Sequence, residues 1–219
     1  MPFNFVATED FDKSVSHINT LIQFANEQKD AGNEDNRMLF LKLSVVLSVT
    51  KFQVFIESVL KEYQYILKTS NKNYHQVSIY LRLNSIKLFT TQNIIHKTLE
   101  NPETFNPNKL AEVKEISKKV LAFCDDNGHL DASLEFDTKF PMGKTGLGEL
   151  SKLFKQINGD EIFANTPFDI NKLNEILGRR HAIIHEDTNP QMTEDTVEKY
   201  RDYLIVVVNY IDNYLQGHK

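Results

Sequence analysis

The stretch from Met38 to Leu60, MLFLKLSVVLSVTKFQVFIESVL, limits most strongly what this chain can fold into. It is apolar nearly all round and runs on into the amphipathic KEYQYIL, so it predicts one long helix over about Arg37 to Lys68. A segment of this length also meets the requirement for a membrane span. Lys42, Lys51 and Glu57 interrupt it, however, and a helix apolar around its circumference is equally what the centre of a helical core requires. The expected reading is a spine helix inside a protein, with no membrane. Gln53 and Glu57 on that spine are expected to meet core partners rather than face a groove, because a buried polar group without a hydrogen bond is costly.

The rest of the chain fits around such a spine. With 219 residues there is material for one substantial core, and no linker or repeat divides it, so a single domain over 1–219 is expected. Gly (8) and Pro (6) are scarce, which disfavours a turn-rich β fold and makes all-α the expected class. A first helix is read over about Thr8 to Gln28, with Thr8 as cap and Phe11, Val15, Ile18, Ile22 and Ala25 on one face. A third is read over about Tyr74 to Leu99 and a fourth over about Lys109 to Cys124, followed by shorter ones near Leu147 to Ile157 and Ile170 to Ile184. The last helix has Thr193 as cap, Glu194 and Asp195 in its first turn, and Val197, Leu204, Val207, Val208, Ile211 and Leu215 along one face. Period two beats period 3.6 only where Leu130, Ala132, Leu134 and Phe136 alternate with polar residues, so a short β-hairpin is expected near residues 128–142.

Charge and cysteine content narrow the partners. A formal net charge of −5 excludes a generally polyanion-binding surface, so any nucleic-acid contact must come from a local basic patch. The single cysteine, Cys124, excludes an intrachain disulfide framework and is read as a small buried residue ending a helix. The opening MPFNFVATEDF carries neither a basic start nor a continuous apolar run, and a cytoplasmic location is expected.

Two motifs invite a chemical reading and fall short. Gly143-Lys144-Thr145 resembles the end of a phosphate loop, but Thr138 stands where its first glycine belongs, so a surface turn is the better reading. His181 and His185 have the four-residue spacing of many zinc pairs, yet HAIIH lacks the glutamate of the HExxH motif, and only Glu186 or Asp187 is near to complete a set. No metal and no cofactor is expected. The isolated His17, His75, His96, His129 and His218 show no pattern.

RRHAIIH, residues 179–185, carries more. Ile170, Leu173, Leu177 and Ile184 form a stripe, and Arg180 falls on it. Arginine has no neutral state to retreat to, and an unpaired buried charge costs several kcal/mol, so Arg180 is expected to face a carboxylate, a phosphate or a subunit interface. Arg180 and His185 lie roughly 140° apart around a straight helix. They converge on one ligand only if the helix ends before His185, or if two chains each contribute an arginine and a histidine.

Arg180, His181, three further residues and His185, closing one helix and followed by a loop and a long terminal helix, resemble the signature of the HEPN superfamily of all-helical domains. The layout is also similar: a spine carrying FQVFIESVLKEY and a final helix VEKYRDYLIVVVNYIDNYL. The resemblance implies a HEPN-like helical bundle and a metal-independent endoribonuclease acting as a homodimer, commonly a toxin or an antiviral defence effector with an antitoxin or defence-system partner. It assigns Arg180 and His185 to catalysis, with His181 beside them, although the family often carries asparagine or aspartate at that next position. Arg179, which doubles the arginine, is expected to grip flanking phosphate of the RNA substrate. The alternative is a non-catalytic HEPN interaction or nucleotide-binding module, in which Arg180 is a structural interface residue.

Overall fold

In a computed structural model of the chain, residues 5–92, 107–125, 127–130, 134–141, 146–185 and 192–217 are described. Seven α-helices occur among them: α1 Val6–Asp30, α2 Glu34–Thr69, α3 Ile79–Gln92, α4 Pro107–Cys124, α5 Gly146–Asn158, α6 Ile170–His185 and α7 Glu194–Gly217, with a 3-10 turn at Tyr74–Gln76. The all-α expectation holds, and no strand is present among the described residues. The chain groups into two compact units. One comprises Met1–Glu62, Thr138–Ser151 and Ile162–Lys219, the other Tyr63–Asp137 and Lys152–Glu161.

The first unit is built on the long apolar helix. Leu41, Val45, Val49, Phe52, Phe55, Ile56, Val59 and Leu60 of α2 are buried, as expected of a spine. By length and composition alone α2 is long and apolar enough to cross a membrane; the face carrying Leu41 to Leu60 is covered by protein, while Leu39, Leu43 and Val54 are exposed. Ser44 and Ser48 are buried as well, and their hydroxyls donate back to the carbonyls of Phe40 (2.8 Å) and Ser44 (2.7 Å), which leaves neither hydroxyl stranded in the core.

The start of α1 is capped from a distance. Thr8, expected as its cap, lies inside the first turn and donates its hydroxyl to Asp212 instead. The backbone N–H of Phe5 donates to the same Asp212 carboxylate at 3.1 Å, while those of Val6 and Ala7 donate to the two oxygens of Glu62, each at 2.8 Å. Free N–H groups at a helix start need acceptors, and two carboxylates also complement the positive end of its dipole. Asp212 itself is buried in α7 beside Val208, Ile211 and Leu215. At the start of α7 the expected cap is present: the N–H of Thr196 donates to the Thr193 hydroxyl at 3.2 Å.

The expected hairpin is not formed among the described residues, and 131–133 and 142 lie outside them. Only an isolated bridge joins Asn73 to His129. The alternation is nonetheless physical, since Leu134 and Phe136 are buried with an exposed Glu135 between them. Helix side chains replace the partner strand. In the second unit Ser85 donates to the Glu135 carbonyl (2.6 Å), while Gln156 donates to the Asp137 carbonyl (2.6 Å) and accepts its N–H (3.1 Å). In the first unit Gln53 donates to the Phe140 carbonyl (3.0 Å) and Glu57 accepts the Phe140 N–H (3.2 Å). Both polar spine residues thus have the structural role expected of them.

Two further expectations need amendment. The third helix begins at Ile79, after the 3-10 turn, because the Asn73 N–H is taken by the Gln76 side chain at 2.8 Å and the chain stays extended at Val77. Its expected continuation over 93–99 lies outside the described residues. Cys124 does end a helix but is exposed: Phe123 takes the buried position and turns its neighbour outward. Within the second unit Gly159, just past the end of α5, has φ +82°, and a Cβ there would lie 2.2 Å from the Tyr80 ring, so glycine is required twice over.

Two outcomes follow for stability. Asp212→Ala strips acceptors from the Phe5 N–H and the Thr8 hydroxyl and is expected to cost about 2–4 kcal/mol in urea unfolding, with no loss for the exposed Asp10→Ala. Glu194 accepts Nε and Nη2 of Arg37 at 2.7 and 2.8 Å, and these bonds hold its carboxyl at about 2, below its ordinary 4.5. The pair therefore stabilises fully above about pH 4.5, and its contribution fades as pH falls toward about 2. Glu194→Gln is expected to flatten that acid limb, worth about 1–2 kcal/mol after solvent screening, in thermal melts taken across it.

Candidate functional site

The site region is the C-terminal half of α6. Its N-terminal end is fastened in place by aromatic side chains of α7. Phe168, just before α6, meets Tyr203 and Tyr210 edge to face at 5.7 and 5.3 Å between ring centres. The Tyr203 hydroxyl donates to the Asp169 carbonyl (2.8 Å) and that of Tyr210 to the Ile162 carbonyl (2.7 Å). Burial, ahead of any other cause, pushes the Tyr203 phenol up to about 12, so it stays a neutral donor.

Along α6 the apolar stripe is buried at Leu173, Ile176 and Leu177 and then stops. Arg180 occupies the next stripe position, half-buried, and Ile184 is 42% exposed. The Nε of Arg180 is buried and has no hydrogen-bond partner among the described residues. No ion pair links its guanidinium to any described residue, so of the three expected partners, a carboxylate, a phosphate or a subunit interface, the carboxylate is not found among the described residues.

Arg179 is placed differently. Its guanidinium lies 4.0 Å from Glu175, one turn earlier on α6. The buried Tyr200 of α7 donates its hydroxyl to the same Glu175 carboxylate. Burial and that bond raise the Tyr200 phenol, while nearby Arg179 pulls it down. Glu175 and Tyr200 escaped the sequence reading. The i,i+4 spacing of Glu175 and Arg179 was a visible signal, whereas Tyr200 reaches them only through folding.

His181 and His185 stand together, with ring centres 4.7 Å apart and planes at 45°. His185 is exposed and His181 half-buried. Because α6 runs through His185, the early helix end that would let Arg180 and His185 converge within one chain does not occur. Glu186, Asp187, Gly143 to Thr145, His96 and His218 lie outside the described residues. Among the described residues no three His, Cys, Asp or Glu side chains gather as a metal set.

Among the described residues two clefts open on the first unit, and neither is lined by the α6 residues. One, of about 660 Å³, is lined by Arg37, Met38, Lys42 and Met192 among others; the second, of about 300 Å³, by Phe11, Ser14, Lys51 and Glu62 among others. The arginine and histidine residues stand on an exposed helix end, which suits a polymer or a protein face better than an enclosed small molecule.

Residues 9–217 match the family model described as RiboL-PSP-HEPN, and the chain belongs to that family. Membership supports an RNA-related, nuclease or nucleotide-binding module. No curated protein and no solved structure gives a significant match.

If Arg180 is held on the stripe for a ligand and not for the fold, Arg180→Met is expected to leave the melting temperature unchanged or raise it. Replacing an uncompensated buried charge by an apolar side chain of similar length is neutral or stabilising. A loss above about 1 kcal/mol in denaturant unfolding would show that the guanidinium holds the fold together.

Proposed function

We propose that the protein is a metal-independent endoribonuclease, active as a homodimer in the cytoplasm and serving as a toxin or defence effector. The observation that carries the reading is Arg180, a permanently charged guanidinium whose buried Nε has no partner among the described residues, on the helix that ends in the exposed His185. A phosphodiester supplies what that guanidinium lacks: anionic oxygens matched to its planar fork.

RNA carries its own nucleophile. His185 takes the proton of a ribose 2′-OH as that oxygen attacks the adjacent phosphorus, and the P–O5′ bond breaks. A second imidazole returns a proton to the leaving 5′ oxygen, giving a 2′,3′-cyclic phosphate and a 5′-OH end. Arg180 holds the non-bridging oxygens and the charge that builds on them. His181 stands against His185 and orients it. Arg179, half engaged by Glu175, lies beside this centre as a grip on flanking phosphate. Since a straight α6 directs Arg180 and His185 about 140° apart, the arginine of one protomer works with the histidine of its partner.

Arg180→Ala and His185→Ala are each expected to lower cleavage of single-stranded RNA by at least about 100-fold, with unchanged helicity and dimer mass. EDTA has no effect, and DNA of the same sequence stays intact because it lacks the 2′-OH. Wild-type rates in either variant, or a need for an added divalent ion, would refute the mechanism. A wild-type protein that binds an antitoxin or nucleotide but cuts no RNA would establish the non-catalytic module instead.

A further inference from the structure

The paired histidines can do something the nuclease chemistry does not use. His181 and His185 are one turn apart, so their Cα–Cβ directions differ by only about 40° around α6. Their ring centres are 4.7 Å apart. With Zn–N bonds of about 2.0–2.1 Å and each ring centre about 1.1 Å behind its nitrogen, two imidazoles on one tetrahedral or octahedral cation stand about 4.5–5.2 Å apart. The observed separation falls inside that window. Each imidazole has two nitrogens and can bind a metal through one while the other keeps a protein partner.

The surroundings favour a cation at this point. His185 is in the last turn of α6, at the negative end of the helix dipole. The nearest positive charges are directed elsewhere. Arg179 leans on Glu175, and Arg180 projects about 100° from His181 and about 140° from His185 around the helix. Exposure of His185 leaves room for water to complete the coordination. Two protein nitrogens make an exchangeable site and not a structural one, which normally takes four ligands.

We propose that His181 and His185 form a two-nitrogen chelate for a borderline divalent cation, zinc above all, and that filling it switches the ribonuclease off. The second half rests on the nuclease reading. A His185 nitrogen that holds zinc cannot move a proton, so the ion is an inhibitor and not a cofactor.

Calorimetric titration of zinc chloride into the full chain at about pH 7.5 tests the site. One zinc per chain is expected, with affinity reduced about ten-fold or more in both His181→Ala and His185→Ala and retained in His17→Ala. His181→Gln, checked for unchanged helicity, guards against misfolding. No uptake by the wild type, or wild-type affinity in either α6 variant, overturns the chelate. In parallel, RNA cleavage is expected to fall with the binding midpoint and to return with EDTA; cleavage that persists at saturating zinc overturns the switch. Zinc binding by a protein that never cleaves RNA keeps the chelate and removes the nuclease reading, so the two failures are told apart.

Discussion

Asp212 places a carboxylate among the apolar side chains of the last helix, and the first helix begins on it. Its oxygens accept the Phe5 N–H and the Thr8 hydroxyl, and Gln216 donates to it from one turn further along α7. A buried carboxylate is tolerated only when its oxygens are fully used, and the helix start is a dense source of donors with a favourable dipole. The contact joins two ends of the chain more than 200 residues apart. With α7 so fixed, Tyr203 and Tyr210 hold the chain entering α6, and Tyr200 binds Glu175 part way along it. The position of the RRHAIIH turn therefore descends from one buried acid.

What distinguishes α6 is where packing stops. Leu173, Ile176 and Leu177 bury the helix, and a core-forming sequence would place another aliphatic residue at 180 and keep Ile184 covered. Arg180 and an exposed Ile184 instead leave the last turn unfinished as a core element. Local rules of foldability are expected to fail at working sites, and here they fail over one turn. The doubled arginine separates into two roles: Arg179 is held by Glu175 next to Tyr200, while Arg180 has no partner among the described residues.

Much of this was legible from residue pattern. The all-round apolar run from Met38 marked the spine, and the stripes of the first and last helices named residues that are buried, with Val15 half-covered. Thr193 was readable as a cap because its partner is three residues away. The caps of α1 were not, since Glu62 and Asp212 become neighbours of Val6 and Phe5 only through folding. The alternation at Leu134 and Phe136 gave the right burial and the wrong backbone: period two reports which side chains point inward, and says nothing of whether a strand or a glutamine side chain satisfies the main chain. At the site, the departure of Arg180 from its stripe was visible in sequence, whereas the Tyr200 bond to Glu175 was not.

The central claim is that Arg180 of one protomer acts with His185 of its partner. Mixing inactive Arg180→Ala and His185→Ala chains under conditions of subunit exchange tests it most directly. In a heterodimer the unaltered Arg180 of one chain meets the unaltered His185 of the other, so the mixture is predicted to recover up to about a quarter of wild-type cleavage, given random pairing and one intact pair per mixed dimer. A mixture as inactive as its parents, with exchange verified by mass, would contradict the account.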